Sequence, residues 1–436
     1  MGTEFLKIKT VDEAIEIIKK LFKESNIKNN YDNEIININK SLNRVISKNI
    51  ISNIDFPPFN RAIKDGFAIK AEDSFYATED DPKTLKIIDR VEAGFFSKKT
   101  IKNGEAIEIS TGAPIPDGAD AIAMVEHTKK KENTVEIFTS VTPNQDIAFK
   151  GSDIKKGEII LESGSILSPG KIGAISAQGI NEVEVIKKPK ISIISTGNEL
   201  INSTDNLSFG KIYDVNSHSL KNAIISSGGK AINLKNVNDD YDDLKKEIEL
   251  GLKLSDIVIL SGGTSAGMGD ILIEVLNELG EILIHGISVQ PGKPTIVGKI
   301  KYNNNSNNKS NNKSNNKSNN KSNNKSNEKI KIIIGLPGNP VATLIVYYIF
   351  IAPEIRKITG FEINKEKNIE KYPISKRIHS ESRTQYVLVK LKNNELYPIM
   401  KDSGAITSLA IADGYIKIPK SVELIDKGKL IEFYPF

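Results

Sequence analysis

Between residues 189 and 360 the chain repeats one arrangement three times: a short apolar run, a turn rich in Gly or Pro, and then helical periodicity. Ile191 to Ile194 leads into Ser195-Thr196-Gly197-Asn198-Glu199, with a helical pattern from Ser217 to Ser226. Ile257 to Leu260 leads into the glycine-rich stretch from Ser261 to Asp270 and the helix-like Ile271 to Leu279. Ile332 to Ile334 leads into Leu336-Pro337-Gly338-Asn339-Pro340 and a helix to about Ile358. Strands alternating with helices predict a parallel sheet with crossover helices, hence a three-layer α/β domain. Such sheets take ligands outside the carboxyl ends of their strands, where backbone amides and helix N-termini favour anions, so the three turns should converge on one crevice.

The flanking sequence reads differently. Thr10 and Glu13 form a capping box ahead of Val11, Ala14, Ile15, Ile18, Leu21 and Phe22, which predicts an amphipathic helix ending near Phe22. From about Ile35 to Val185, short apolar runs broken by Gly, Pro and Asn predict strands, among them Ala106 to Ile109, Ala121 to Val125 and Glu158 to Leu161. Lys187-Lys188-Pro189 marks a boundary, and beyond Gly360 strand-like pieces return at Tyr386 to Leu391 and Gly414 to Ile418. The expected fold is therefore multidomain α/β plus β. Residues 59–154 are expected to form a strand-rich inserted domain, 189–360 the α/β domain and 361–436 a small β-barrel-like domain. Residues 1–58 and 155–188 are expected to form a discontinuous linker region, whose part in dimerisation is implied only by resemblance to a known family.

Residues 303–328 hold an Asn-rich lead and repeated Asn-Asn-Lys-Ser. With no apolar face to bury, such a segment cannot offset its ordering entropy and is expected to be a disordered insertion. Because it falls between the strand candidates Thr295 to Ile300 and Ile330 to Ile334, it should extend a hairpin tip.

Composition excludes several classes of function. There is no Cys, so disulfides, thiolate metal sites and cysteine nucleophiles are ruled out, and any metal must be held by oxygen or His. The four His, at 127, 218, 285 and 379, lack ligand spacing, which argues against zinc chemistry. A net charge of +5 over 436 residues gives no sign of nucleic-acid binding. No run approaches the roughly 18 apolar residues of a membrane span, and no signal peptide is visible, so a cytoplasmic location is the expectation. No Gly-x-Ser-x-Gly elbow supports a serine hydrolase.

The glycines of the second turn allow backbone to approach a phosphate, although the spacing is neither that of a P-loop nor that of a dinucleotide fingerprint. Read blandly, it is a flexible turn with Asp270 capping the next helix. The Pro-bracketed third turn reads equally well as purely structural, and it is preceded one hairpin earlier by Pro291-Gly292-Lys293-Pro294.

This ordered series resembles the central domain of MoeA-type proteins and of the gephyrin E domain. Further blocks extend the resemblance from about residue 5 to 436: Pro57 to Arg61, Lys64-Asp65-Gly66-Phe67-Ala68, Ser110 to Pro114, Gly118 to Ala121, Gly151 to Ile154, Ser403-Gly404-Ala405 and Ala412-Asp413-Gly414. Any one block is weak, and their joint order is strong.

The resemblance implies a molybdopterin molybdotransferase, which inserts molybdate into adenylylated molybdopterin and releases AMP with a divalent cation such as Mg2+. It implies Glu199 and Asp270 as metal or adenylate-cleavage residues, with Asp240 or its neighbour Asp239 as a further acidic ligand. Substrate binding is implied for Gly262, Gly263, Ser265, Lys293, Pro337, Gly338, Asn339 and Pro340, and a share in the molybdate pocket for Arg383 and Ser403. Asp65 and Thr111, and similarly Asp153, match positions that reach the cleft of a partner subunit, so a homodimer is implied. The chain also departs from the family pattern. It has Asn60-Arg61-Ala62 in place of Asp-Arg-Ser, Lys64 for a common Met, Asn198 for a frequent Asp, Ala148 for Arg and Gln290 for Lys. Lost positive charge at Ala148 and Gln290 should weaken anion binding unless Lys150 and Lys293 compensate. Two other readings compete: a molybdopterin adenylyltransferase, which shares the central domain without the extra β domains, and a scaffold, since the gephyrin E domain anchors receptors.

Overall fold

The structure, a computed structural model, describes residues 8–27, 33–262, 268–303, 328–361, 369–380 and 383–436. The chain divides into two compact units. One is drawn from residues up to Glu34, Asn43–Val45 and Val185 onward; the other comprises Ile35–Leu42 and Ile46–Glu184.

The first unit opens with α1 (Val11–Glu24), whose Thr10 and Glu13 close the expected capping box in both directions. Its central sheet is built from β1 (Lys190–Thr196), β2 (Lys230–Val237), β3 (Ile257–Ser261), β4 (Glu281–His285), β5 (Ile296–Asn303) and β6 (Glu328–Leu336), in spatial order β2-β1-β3-β6-β5-β4. The pairs β1/β2, β1/β3 and β3/β6 are parallel, while β5 returns antiparallel to β6 and β4 antiparallel to β5. Register explains why these runs are apolar at nearly every position. Ile191, Ile193, Ile257, Ile259, Ile332 and Ile334 enter one core together with α1, α2 (Asn216–Ser226) and the helices after β6. Ile194, Val258, Leu260 and Ile333 enter a second core with α3 (Tyr241–Leu254) and α4 (Met268–Leu279). Alternation along a strand sends successive side chains to opposite faces, and here each face is covered by helices, which gives three layers.

The β5/β6 hairpin is paired out to Asn303 opposite Glu328. The low-complexity insertion expected at its tip otherwise lies outside the described residues. The single helix expected from Pro340 to about Ile358 is instead three pieces: α5 (Pro340–Val346), a π-helical turn over Tyr347–Ile351, and Ala352–Thr359 ending on left-handed Gly360. Pro353 has no N–H for the carbonyl one turn back, and a widened turn accommodates that gap.

The C-terminal part of this unit is built around β7 (Thr384–Lys392) and β8 (Gly414–Ile418), antiparallel neighbours over a core of Ile374, Val387, Val389, Leu396, Ile416 and Ile418. Val289–Gln290 adds a short parallel ladder to β7. The second unit is strand-rich, and its main feature is a six-stranded sheet containing Gly66–Ile69, Lys83–Val91, Glu105–Ile109 and Ala121–Met124.

Candidate active site

At the carboxyl ends of β1, β3 and β6 the backbones close on one another. The Gly262 N–H reaches the Leu336 carbonyl at 3.4 Å. A Cβ on Gly262 would stand 2.2 Å from the Thr196 carbonyl oxygen, and its φ is +106°, so only glycine fits there. A Cβ on Gly338 would come 3.4 Å from the Gly262 Cα. The turns after the three strands thus meet, as their position at parallel strand ends predicts.

Asn216, the first residue of α2, ties two of these strand ends together. Its Nδ2 donates to Ser261 Oγ at 2.8 Å and to the Gly338 carbonyl at 2.6 Å. Because a carbonyl only accepts, the Gly338 contact fixes which end of the amide faces it. Asn216 Oδ1 is left buried without a donor among the described residues. Sequence reasoning missed this residue; the one available signal was an Asn placed where the strand at Ile212–Tyr213 gives way to a helix.

The acidic residues separate into distinct environments. The Asp239 carboxyl is pushed above its ordinary range, first by burial and then by the neighbouring charge of Glu199. Asp239 Oδ1 is buried and has no donor among the described residues, although the Asp239 backbone N–H reaches Asn198 Oδ1 at 3.2 Å. Asp240 does something else: its Oδ1 accepts the N–H groups of Asp242 and Asp243, each at 3.0 Å, capping α3. Of the two neighbouring acids, Asp240 thus caps a helix and Asp239 is the one whose carboxyl lies beside Glu199. Asp270 is exposed in the first turn of α4, and it is not among the groups acting on Asp239. Gly263 and Ser265 lie outside the described residues.

Lys293, Pro337, Asn339, Arg383 and Ser403 come together around a single cavity of about 990 Å³, whose wall also includes Gln290. Asn339 Nδ2 donates to Ser403 Oγ at 2.8 Å, and the Val341 N–H donates to the Ser403 carbonyl at 3.1 Å. Pro340 starts α5, where its missing N–H costs nothing. Glu199, Asp239 and Asp270 do not line this cavity.

In the strand-rich unit, Asp65 Oδ1 accepts the Thr111 N–H at 2.7 Å, so two of the residues expected to act together are in contact. Asp65 also borders a pocket of about 190 Å³ with Glu108, Ser110 and Lys130. Asp153 lies elsewhere, in a bend beside the isolated Phe56–Ile154 bridge, its N–H bonded to the Phe56 carbonyl at 3.1 Å. Lys150, expected to compensate for lost positive charge, is ion-paired with Asp55 at 3.6 Å.

The family models for the MoeA N-terminal region (domains I and II), for a probable molybdopterin binding domain, and for the MoeA C-terminal region (domain IV) match residues 9–179, 192–357 and 371–436. A putative molybdopterin biosynthesis protein from Methanocaldococcus jannaschii is 33% identical over 92% of this chain and 91% of its own length. The chain belongs to the MoeA family. A molybdopterin molybdenumtransferase from Staphylococcus epidermidis is 30% identical over 97% of the chain and 94% of its own length. The crystal structure of a molybdopterin biosynthesis MoeA protein from Pyrococcus horikoshii aligns with a TM-score of 0.74 at 36% identity, covering 98% of this chain and 99% of that one. The MoeA architecture accounts for the extra β parts on either side of the α/β domain, and no described helix is long and apolar enough to cross a membrane.

Proposed function

We propose that this MoeA-family chain is a molybdopterin molybdenumtransferase that inserts molybdate into adenylylated molybdopterin with release of AMP. The observation that carries the reading is the meeting of three strand ends at Thr196, Gly262 and Gly338, with Asn216 bracing two of them. Glu199, in the turn after β1, and Asp239, just past the end of β2, form an acid pair, and a cavity with basic side chains lies beside the turn after β6.

Each part has a task in that reaction. The backbone at Gly262 and Gly338 lies close enough to accept phosphate groups, because no side chain stands in the way. Lys293, Arg383 and Ser403 supply cations and a hydroxyl for a tetrahedral oxyanion, and Asn339 orients the Ser403 hydroxyl. Glu199 and Asp239 are the residues that would hold Mg2+: an unsatisfied carboxylate oxygen beside a second carboxylate is a donor set that a hard cation satisfies, usually together with substrate phosphate. Among the described residues no group of three or more His, Asp or Glu could hold a metal ion, so the other ligands would have to come from substrate and water. When bound, Mg2+ supplies charge that stabilises the phosphate being cleaved. Asp270 is the further acid proposed for that step. Asp65, Thr111 and Asp153 are proposed to serve the cleft of a second copy in a homodimer, in the cytoplasm.

The test is AMP release by the purified chain given adenylylated molybdopterin, with molybdate and Mg2+ each supplied or withheld. Release that needs both is the expected result. Adenylylation of molybdopterin from ATP, with no molybdate requirement, would replace this reading with the adenylyltransferase one.

A further inference from the structure

The wall of the 990 Å³ cavity contains two glutamines, Gln290 and Gln385, whose side-chain oxygens are buried without a hydrogen-bond donor among the described residues. Val289–Gln290 runs parallel to β7 with Gln290 directly opposite Gln385, so the backbone ladder itself sets the two side chains next to each other. Both side chains line the cavity, yet in both the Oε1 atom is shut away from solvent with no donor among the described residues. An amide whose oxygen is turned into the wall leaves its NH2 group for the cavity, and an NH2 carries two donor protons. Ser408, only 1% exposed, lines the same cavity with a hydroxyl that also lacks a partner.

We propose that Gln290 and Gln385, backed by Ser408, form a neutral donor shelf that grips the tetrahedral oxyanion in this cavity. The inference rests on the transferase reading and deepens it by naming what replaces a cation at Gln290. A tetrahedral dianion accepts hydrogen bonds on every oxygen, and donors bonded to an ionised acceptor are stronger than neutral pairs. Neutral donors differ from lysines in one measurable way: their contribution is short-ranged, so added salt screens it little. Arg383 and Lys293 supply the net charge, and the shelf supplies fixed geometry.

The experiment is calorimetric titration of the full chain with sodium molybdate alone at low and high ionic strength, with sulfate as comparison anion. The variants are Gln290→Leu, Gln385→Leu, Gln290→Lys and Arg383→Ala, each checked for an unchanged melting temperature. Each Leu variant should bind molybdate about tenfold more weakly, the loss of one hydrogen bond to a charged group, with an unaltered dependence on salt. Arg383→Ala should weaken binding and flatten the salt dependence. Gln290→Lys adds charge without removing reach, so it should bind more tightly at low salt with a steeper salt dependence, and it serves as the check should a Leu variant fold poorly. Leu variants within twofold of the unaltered protein, or a Gln290→Lys variant with unchanged salt dependence, would overturn the shelf; Arg383→Ala would still report on the cavity reading. Absence of molybdate binding by the unaltered protein would overturn both.

Discussion

The Asn216 side chain donates to the Gly338 carbonyl at 2.6 Å, joining the start of α2 to the turn that follows β6. Because the same nitrogen also reaches Ser261, one amide spans the ends of two strands. Asn216→Ala removes both hydrogen bonds, and since the Gly338 carbonyl is exposed and can rehydrate, the loss should be about 0.5–1.5 kcal/mol. Asn216→Asp places a carboxylate against the Gly338 carbonyl, which can only accept, and should be worse for turnover at similar bulk. The comparison to make is AMP release against melting temperature for the two variants. Equal activity in both would remove this contact from the organisation of the site.

Gly262 is held at φ +106° with the Thr196 carbonyl where a methyl group would sit. Gly262→Ala therefore adds both backbone strain and a clash with main chain, and it should destabilise the first unit by about 1–3 kcal/mol. Gly170, around which a Cβ would meet nothing within 4 Å, is the control position, and its alanine variant should unfold near the native urea midpoint. A Gly262→Ala midpoint equal to that of the control would show that the turn relaxes freely.

Much of this architecture could be read from the sequence because its signals are local. Ile257 to Leu260 and Ile332 to Ile334 are apolar at consecutive positions because both sheet faces are covered, and the turns that follow them sit where parallel topology puts ligands. The joint order of blocks, from Asp65-Gly66 to Ser403-Gly404, carried the family resemblance that the comparisons then established. What escaped was non-local or vectorial. The Asn216 partners lie 45 and 122 residues away, so nothing near it in the chain announces the contact. Asp239 and Asp240 are neighbours of identical chemistry, and only the start of α3 decides which one bends back as a cap. The π turn ahead of Pro353 needed the packing of buried Tyr347 and Phe350, which periodicity alone does not register.

Lys331 is a buried cation in β6, donating to the carbonyls of Leu252 and Ser255 at the end of α3 and lying 4.5 Å from the centre of the Tyr302 ring. Burial, only partly offset by Asp256, lowers its pKa below 10.5. In the window between the lowered value and 10.5 the unfolded chain holds more protons than the folded one, so this residue adds to stability as pH rises through that window. Lys331→Met removes the titrating group and leaves two carbonyls without a donor. The stability deficit of the variant should therefore widen from neutral pH towards 10.5, as read from urea unfolding across that range. Parallel stability curves for the two proteins would count against this account.

The pairing of Asp239 with Glu199, set against the capping role of Asp240, predicts that two adjacent and chemically identical side chains respond oppositely to removal. Asp240→Ala loses an N-cap and should cost about 0.5–2 kcal/mol of stability while leaving the Mg2+ requirement of turnover near normal. Asp239→Asn keeps the shape and relieves the unfavourable proximity of two carboxylates, so it should not lower the melting temperature. It removes half of the anionic donor set proposed for the cation, so half-maximal activity should need more Mg2+. The decisive measurement is a Mg2+ titration of AMP release for both variants. A normal Mg2+ dependence in Asp239→Asn would remove Asp239 from the cation site, and a shifted one confined to Asp240→Ala would give that role to Asp240.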